Sequence, residues 1–66
     1  MKFKDAILTY IAQNRDVGSY SKFAKICDIS GAYLTQLMNG KKTNPSKIVL
    51  KKIEIVTGFE IDELKD

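Results

Sequence analysis

Apolar side chains recur at helical spacing near the start of the chain. From residue 3 they follow the i, i+3, i+4, i+7, i+8 pattern of one helix face, while polar side chains occupy the opposite face. The apolar positions are Phe3, Ala6, Ile7, Tyr10 and Ile11. The pattern predicts an amphipathic helix from Phe3 to Gln13. Residues 14–18 have no such period and include a glycine suited to a helix exit, so we interpret them as a connector.

Two further apolar stripes lie close together in the middle of the chain, in residues 20–27 and 31–38, and the three residues between them break the helical rhythm. The apolar members are Phe23, Ala24, Ile26 and Cys27 in the first stripe and Ala32, Leu34, Leu37 and Met38 in the second. Helices this short are unstable alone and must pack on each other. The pattern predicts a helix-turn-helix, with Ile29 directed into its corner.

Polar residues mark the ends of these two helices. Ser19 and Ser30 each precede a helix, where a serine oxygen can accept a hydrogen bond from a free backbone N–H group, and Ser21 is a competing cap for the second helix. Asn39 and Gly40 follow the third helix, and both tolerate the left-handed backbone that a helix C-terminus often needs. The capping residues therefore support the predicted bounds.

A fourth helix is predicted from about Ser46 to Thr57. Asn44 can cap it, and Pro45 suits its first position, where the N–H group that proline lacks has no helical partner. The predicted inward positions are Val49, Leu50, Ile53 and Val56. Ile48 and Ile55 fall near the edges of this face.

The last apolar residues belong to a short C-terminal segment. Gly58 is expected to stop the fourth helix, and Ile61 to Lys65 is predicted to form a last turn of helix. The apolar residues are Phe59, Ile61 and Leu64, which could complete the core or contact a two-fold partner. We find no strand pattern. The expected fold is all-α, a compact domain of five short helices over residues 1–66 with the helix-turn-helix at helices 2 and 3.

Composition removes several classes of function. The 66 residues include one cysteine and no histidine, which excludes an internal disulfide, the usual zinc ligands and histidine-based catalysis. No apolar run approaches the ~18 residues of a membrane span, and Asp5, Gln13 and Asn14 are unlike a signal peptide. We interpret Cys27 as a small core residue. We expect a cytoplasmic protein that is not an enzyme and has no cofactor, metal, membrane or small-molecule partner.

Positive charge is concentrated in the middle of the chain. The net charge is +3, but residues 20–52 hold seven lysines against one aspartate, which gives +6. Residues 53–66 hold five acidic residues against one lysine, which gives −4. A basic centre beside an acidic end indicates a polyanion-binding face and a second face turned away from it.

A distinctive combination of residues lies in the stretch FAKICDISGAYLTQLMNGKKTNP and continues more weakly through GFEIDEL. Its members are Ala24, Ile29, Leu34, Gln36, Leu37, Asn39 and Gly40. From about Ser19 to Leu64 the chain resembles the Cro and CI-type repressors of lambdoid phages and the small bacterial regulators that share their DNA-binding domain. The motif core is assigned to Ala24, Ile29, Leu34 and Leu37.

Two departures from the family pattern affect the turn and the recognition surface. Asp28 stands where the family usually has a turn glycine, and aspartate tolerates the left-handed backbone better than most residues. Gly31 and Ala32 stand at the family's first base-reading positions, where they offer at most a methyl group for a thymine methyl.

The resemblance implies a DNA-binding face around the third helix. Base contact is expected above all from Gln36, whose amide can pair with adenine. The other expected base-contacting positions are Ala32, Gly31 and Thr35. Contacts to the DNA backbone are expected from Tyr20, Tyr33, Asn39, Lys41, Lys42, Thr43 and Lys47. For Thr35 and Tyr33, packing is an equal alternative, and any single lysine could be a solvated counter-charge.

The resemblance therefore implies a sequence-specific, double-stranded-DNA-binding transcriptional regulator, most like a Cro-type phage or mobile-element repressor that occupies an operator in a bacterial or phage-infected cell. A weak homodimer is implied, formed either in solution or on DNA. The alternative is a protein-interaction module or an antitoxin that keeps the fold and binds a protein partner. Gly31 and Ala32 favour this alternative, whereas the basic centre argues against it.

Overall fold

A computed structural model describes residues 1–42 and 45–62, and these residues form four α-helices without any strand. The helices are α1 (Phe3–Gln13), α2 (Tyr20–Cys27), α3 (Gly31–Met38) and α4 (Lys47–Thr57). The all-α class and the bounds of α1, α2 and α3 are confirmed. The predicted fifth helix, Ile61 to Lys65, lies largely outside the described residues.

Serine side chains cap α2 and α3 as predicted. The Oγ atom of Ser19 accepts a hydrogen bond from the backbone N–H of Lys22 at 3.3 Å. The Oγ atom of Ser30 accepts one from the backbone N–H of Tyr33, also at 3.3 Å. Because each bond satisfies an N–H group that the helix leaves unpaired, a cap of this kind contributes about 1 kcal/mol.

The start of α4 differs from the prediction. Its cap is Ser46, whose Oγ accepts a hydrogen bond from the backbone N–H of Val49 at 3.2 Å. Pro45 therefore precedes the cap and is not the first helical residue. The prediction of a cap at Asn44 and a first turn at Pro45 was wrong because the serine hydroxyl competes for the same free N–H groups. Asn44 itself lies outside the described residues.

The end of α3 also differs in one detail. Asn39 keeps a right-handed backbone with φ −93°, and the left-handed residue is Gly40 with φ +86°. Asn39 was predicted to tolerate the left-handed conformation, but the glycine adopts it at lower steric cost. At the end of α4, Gly58 has φ +75° and stops the helix as predicted.

The core lies where α2 packs on α3 and where α4 packs on α1 and α2. Its largest fully buried side chains are Ile7, Phe23, Leu34, Leu37, Ile53 and Ile61. The ring of Tyr10 meets the ring of Phe23 edge-on, with centroids 5.6 Å apart, and this contact joins α1 to α2. Each large apolar side chain contributes about 1.5–3 kcal/mol when it is buried.

Several apolar residues are more exposed than predicted. Ile26 is 50% exposed, because each residue turns the helix by about 100° and this turn carries Ile26 away from buried Cys27. Ala32, which the apolar pattern placed in the α3 stripe but the family resemblance placed at a base-reading position, is exposed. Ile48 and Ile55 are 71% and 72% exposed and lie on the outer face of α4 rather than near its edges.

Residues outside the helices complete the core. Val17, for which the sequence predicted only a connector, is buried. Ile61 is also buried, and its backbone N–H donates to Oε2 of Glu54 at 3.2 Å, which holds the segment after α4 against the domain. Phe59 is half-buried against the same core. Of the two roles considered for Ile61, the structure supports completion of the core; Leu64 lies outside the described residues.

The one cysteine lies inside this core. Cys27 is buried, and loss of solvent raises the pKa of its thiol to about 11, although the nearby positive charge of Lys52 lowers it somewhat. A thiol in this environment stays protonated and behaves as a small apolar side chain. Within the described ranges, no helix is long and apolar enough to cross a membrane.

Candidate nucleic-acid interface

The corner between α2 and α3 is built around a left-handed aspartate. Asp28 has φ 59° and ψ 47°, and in the described part of the chain it is the one residue other than glycine with a positive φ. The backbone N–H of Ile29 returns to the carbonyl oxygen of Ala24 at 2.9 Å and closes the turn. Asp28 thus adopts the backbone conformation that glycine would supply at lower cost.

α4 supports the same corner from the other side. The Nζ atom of Lys52 donates to the carbonyl oxygen of Asp28 at 3.2 Å and lies 3.9 Å from its carboxylate. The carbonyl belongs to the end of α2, where the helix dipole favours a positive charge. From the sequence, Lys52 was counted only among the seven lysines of residues 20–52, because a contact across 24 positions leaves no signal in the local pattern.

The assigned motif core occupies the interior of this corner. Ala24, Leu34 and Leu37 are buried, and Ile29 packs half-buried against them. A small side chain at Ala24 allows α2 and α3 to approach closely, because a larger one would overpack the contact. These residues hold α3 in place and leave its opposite face accessible.

The accessible face of α3 has few side-chain atoms at its beginning and polar side chains further along the helix. Gly31 is half-buried and Ala32 is exposed. Thr35 is exposed, and its Oγ1 donates to the carbonyl oxygen of Gly31 at 2.9 Å. Because the hydroxyl proton is used within the helix, the Thr35 oxygen presents its acceptor side outward. Gln36 is half-buried, so part of its side chain remains accessible.

The fold does not require glycine at position 31. A Cβ atom there would meet Ser21 Oγ at 3.7 Å and Ser21 Cα at 3.8 Å, which are ordinary van der Waals distances. The backbone of Gly31 is also right-handed, so alanine could replace it without strain. The packing of α3 on α2 therefore does not require the absence of a side chain at position 31.

The loop after α3 folds back on the helix. The backbone N–H of Lys42 donates to the carbonyl oxygen of Gln36 at 3.1 Å. The Oδ1 atom of Asn39 accepts the backbone N–H of Lys41, also at 3.1 Å. The Nζ atom of Lys42 lies 5.1 Å from the centroid of the Tyr33 ring. The structure thus brings five predicted site residues together along α3 and the loop that follows it.

Other predicted site residues lie elsewhere. Tyr20 begins α2 and is half-buried, and it lines a mostly apolar groove with Leu8 and Ile11. Lys47 is the exposed first residue of α4. Thr43 lies outside the described residues. The contact between Tyr33 and Lys42 was not predicted as a pair, since each residue was considered as a separate backbone contact.

The family model HTH_3, described as helix-turn-helix, matches residues 18–64 of the chain. The protein belongs to this family, which is typical of Cro/CI-type bacterial and phage regulators. The predicted resemblance is therefore confirmed. Membership indicates a regulator that binds double-stranded DNA, in a family that is not typically enzymatic. No curated protein and no solved structure matches the chain significantly.

Proposed function

We propose that the protein is a sequence-specific transcriptional regulator, most like a Cro-type phage or mobile-element repressor, that acts by occupying an operator. One observation carries this proposal: the basic loop packs against the polar face of α3. The backbone N–H of Lys42 donates to the carbonyl oxygen of Gln36 at 3.1 Å. One surface thus offers groups for base edges beside groups for phosphates.

In this proposal α3 enters the major groove and α2 lies across the DNA backbone. A helix with side chains is about 10–12 Å wide and the groove about 12 Å wide, so the fit is close. Gln36 reads adenine through its amide, with Thr35, Ala32 and Gly31 facing neighbouring bases. The bare N-terminal end of α3 allows its backbone to approach the DNA closely.

Phosphate contacts surround this helix. Asn39 uses Oδ1 to accept the Lys41 N–H at 3.1 Å, which leaves its amide N–H groups to donate to a phosphate oxygen. Lys41, Lys42 and Lys47 supply charge, and Tyr20 and Thr43 are further proposed contacts. Tyr33, which was predicted as a backbone contact, places its ring beside the ammonium group of Lys42. Phosphate contacts fix orientation and affinity, whereas the base contacts supply specificity.

We further propose that two copies bind together as a weak homodimer. Two copies of α3 would then read half-sites about 34 Å apart, one turn of the double helix. Phe59, which is half-buried, is the proposed contact among the described C-terminal residues, because Ile61 is buried within its own chain. The acidic residues from Glu54 onward make this end unsuited to face DNA.

The second candidate is a protein-interaction module or an antitoxin. It is favoured by the bare start of α3, where Gly31 and Ala32 offer little for base readout. In that case the basic surface would meet an acidic protein rather than DNA, and duplex affinity would not depend on sequence.

Selection of bound duplexes from a randomised pool distinguishes the two candidates. The regulator proposal predicts an enriched palindromic consensus whose half-sites are separated by about one helical turn. Enrichment of a single half-site would support the proposed regulator but contradict the proposed homodimer. Recovery of a pool with no enriched sequence would overturn the regulator proposal in favour of the interaction module.

A further inference from the structure

The loop that carries Lys42 is anchored to α3 at two points. Gly40 has φ +86° and reverses the chain, so that the backbone N–H of Lys42 reaches the carbonyl oxygen of Gln36 at 3.1 Å. The second point is the side chain, whose Nζ lies 5.1 Å from the ring centroid of Tyr33. Main chain and ammonium group of Lys42 are therefore both held by the helix.

Tyr33 is a rigid support for this contact. Its backbone N–H is held by Ser30 Oγ at 3.3 Å, and its ring packs half-buried against the core. Lys42 is exposed, so one side of the ammonium group meets the ring and the other side meets water. A cation within about 6 Å of a ring centroid is attracted by the electrons of the ring face.

An aromatic partner differs from a carboxylate in its effect on charge. A carboxylate would neutralise the lysine and compete with a phosphate for the same N–H donors. The ring restricts where the ammonium group lies but leaves its full charge and its hydrogen-bond donors for an anion. Holding a flexible lysine in place before binding also reduces the entropy lost when it meets its ligand.

We propose that Tyr33 is a positioning residue, whose ring holds the ammonium group of Lys42 beside α3 so that Lys42 meets a DNA phosphate in fixed register with Gln36. The inference rests on the proposed function, and it assigns Tyr33 a role that acts through Lys42 rather than through its own hydroxyl group. The position of the Lys42 ammonium group relative to α3 then determines how deeply α3 enters the major groove.

A double-mutant cycle on a duplex tests this role. Tyr33→Leu is expected to weaken binding about two- to fivefold when Lys42 is present, the range expected of an exposed cation–π contact. In the Lys42→Gln background the same change is expected to have no effect. Tyr33→Phe keeps the ring and is expected to bind like the original protein. Thermal unfolding by circular dichroism identifies any variant that is not folded.

Two outcomes overturn the inference. An equal loss from Tyr33→Leu with and without Lys42 means that Tyr33 acts independently of the lysine. A loss from Tyr33→Phe as large as that from Tyr33→Leu means that the hydroxyl group contacts DNA directly.

An NMR measurement on the free protein separates this inference from the proposed function. The ring of Tyr33 is expected to shift the Lys42 Cε proton signals upfield relative to those of Lys41. Absence of this shift overturns the positioning contact even if duplex binding is strong. Presence of the shift in a protein that binds no duplex overturns the DNA-binding role while leaving the contact intact.

Discussion

The amino group of Lys52 reaches from α4 to the carbonyl oxygen of Asp28, 3.2 Å away, at the corner of the helix-turn-helix. Asp28 itself has a left-handed backbone, with φ 59°. The corner that sets the angle between α2 and α3 is therefore held by a residue in an unfavourable conformation and by a hydrogen bond from a distant helix.

Replacement of Asp28 tests the cost of this conformation. Asp28→Gly removes the steric cost and loses only a 3.9 Å ion pair to a carboxylate that is 98% exposed, which contributes little. Asp28→Ala keeps the Cβ and therefore keeps the steric cost of the left-handed backbone. Urea unfolding is expected to place the glycine variant about 1 kcal/mol above the alanine variant in stability. Equal stability of the two variants would contradict the left-handed corner.

Gly31→Ala is expected to stabilise the fold. The added Cβ meets Ser21 at ordinary distances of 3.7 and 3.8 Å, and alanine favours the helix by up to about 1 kcal/mol. The matched control is Gly40→Ala, where φ is +86° and alanine is strained. Thermal unfolding should therefore show a higher midpoint for Gly31→Ala and a lower one for Gly40→Ala. A lower midpoint for both would mean that α2 and α3 pack more tightly than the structure indicates.

Burial of Cys27 links stability to pH. Loss of solvent raises the pKa of the thiol from its ordinary value of 9.0 to about 11, so the unfolded chain ionises first as pH rises. Because the unfolded state then binds fewer protons, the free energy of unfolding is expected to fall between pH 9 and 11. Cys27→Ala should show a shallower fall, measured by urea unfolding across this range. Parallel curves would show that the thiol is not desolvated in the folded state.

The local features of this fold were predictable, while contacts between distant residues were not. The caps at Ser19 and Ser30 and the bounds of α1, α2 and α3 follow from residue types within one or two turns. The cap of α4 was assigned to Asn44 because Pro45 suits the first position of a helix, whereas the structure caps the helix with Ser46. The burial of Val17 has no local signal, since a single apolar residue in a connector has no period.

The same distinction between local features and distant contacts applies to the candidate interface. Gln36 in α3 and Asn39 directly after it were predicted as contacts from the family resemblance, and DNA contact by either residue stays a prediction. The placement of Lys42 against Tyr33 depends on how Gly40 reverses the chain, and that reversal sets a distance between side chains which periodicity does not encode. Similarly, the support that Lys52 gives to Asp28 depends on the packing of α4 beneath the corner.

The basic loop should determine the salt dependence of DNA binding. Replacing Lys41 and Lys42 with glutamine is expected to reduce the slope of log Kd against log salt concentration by about two units, because two fewer phosphates release counterions. The matched control replaces Lys2 and Lys4, which are both exposed at the start of α1. This double replacement removes the same charge as the replacement of Lys41 and Lys42. The control slope should stay near that of the original protein. Equal slopes in all three proteins would place the loop away from DNA.

Gln36→Ala tests the central claim that α3 reads DNA sequence. Binding is measured on the duplex enriched from the randomised pool and on a scrambled duplex, with Gln13→Ala at the exposed end of α1 as the matched control. The account predicts a loss of about 1–3 kcal/mol on the enriched duplex and little change on the scrambled one, with no effect of the control. An equal loss on both duplexes, or none on either, would contradict base reading by Gln36.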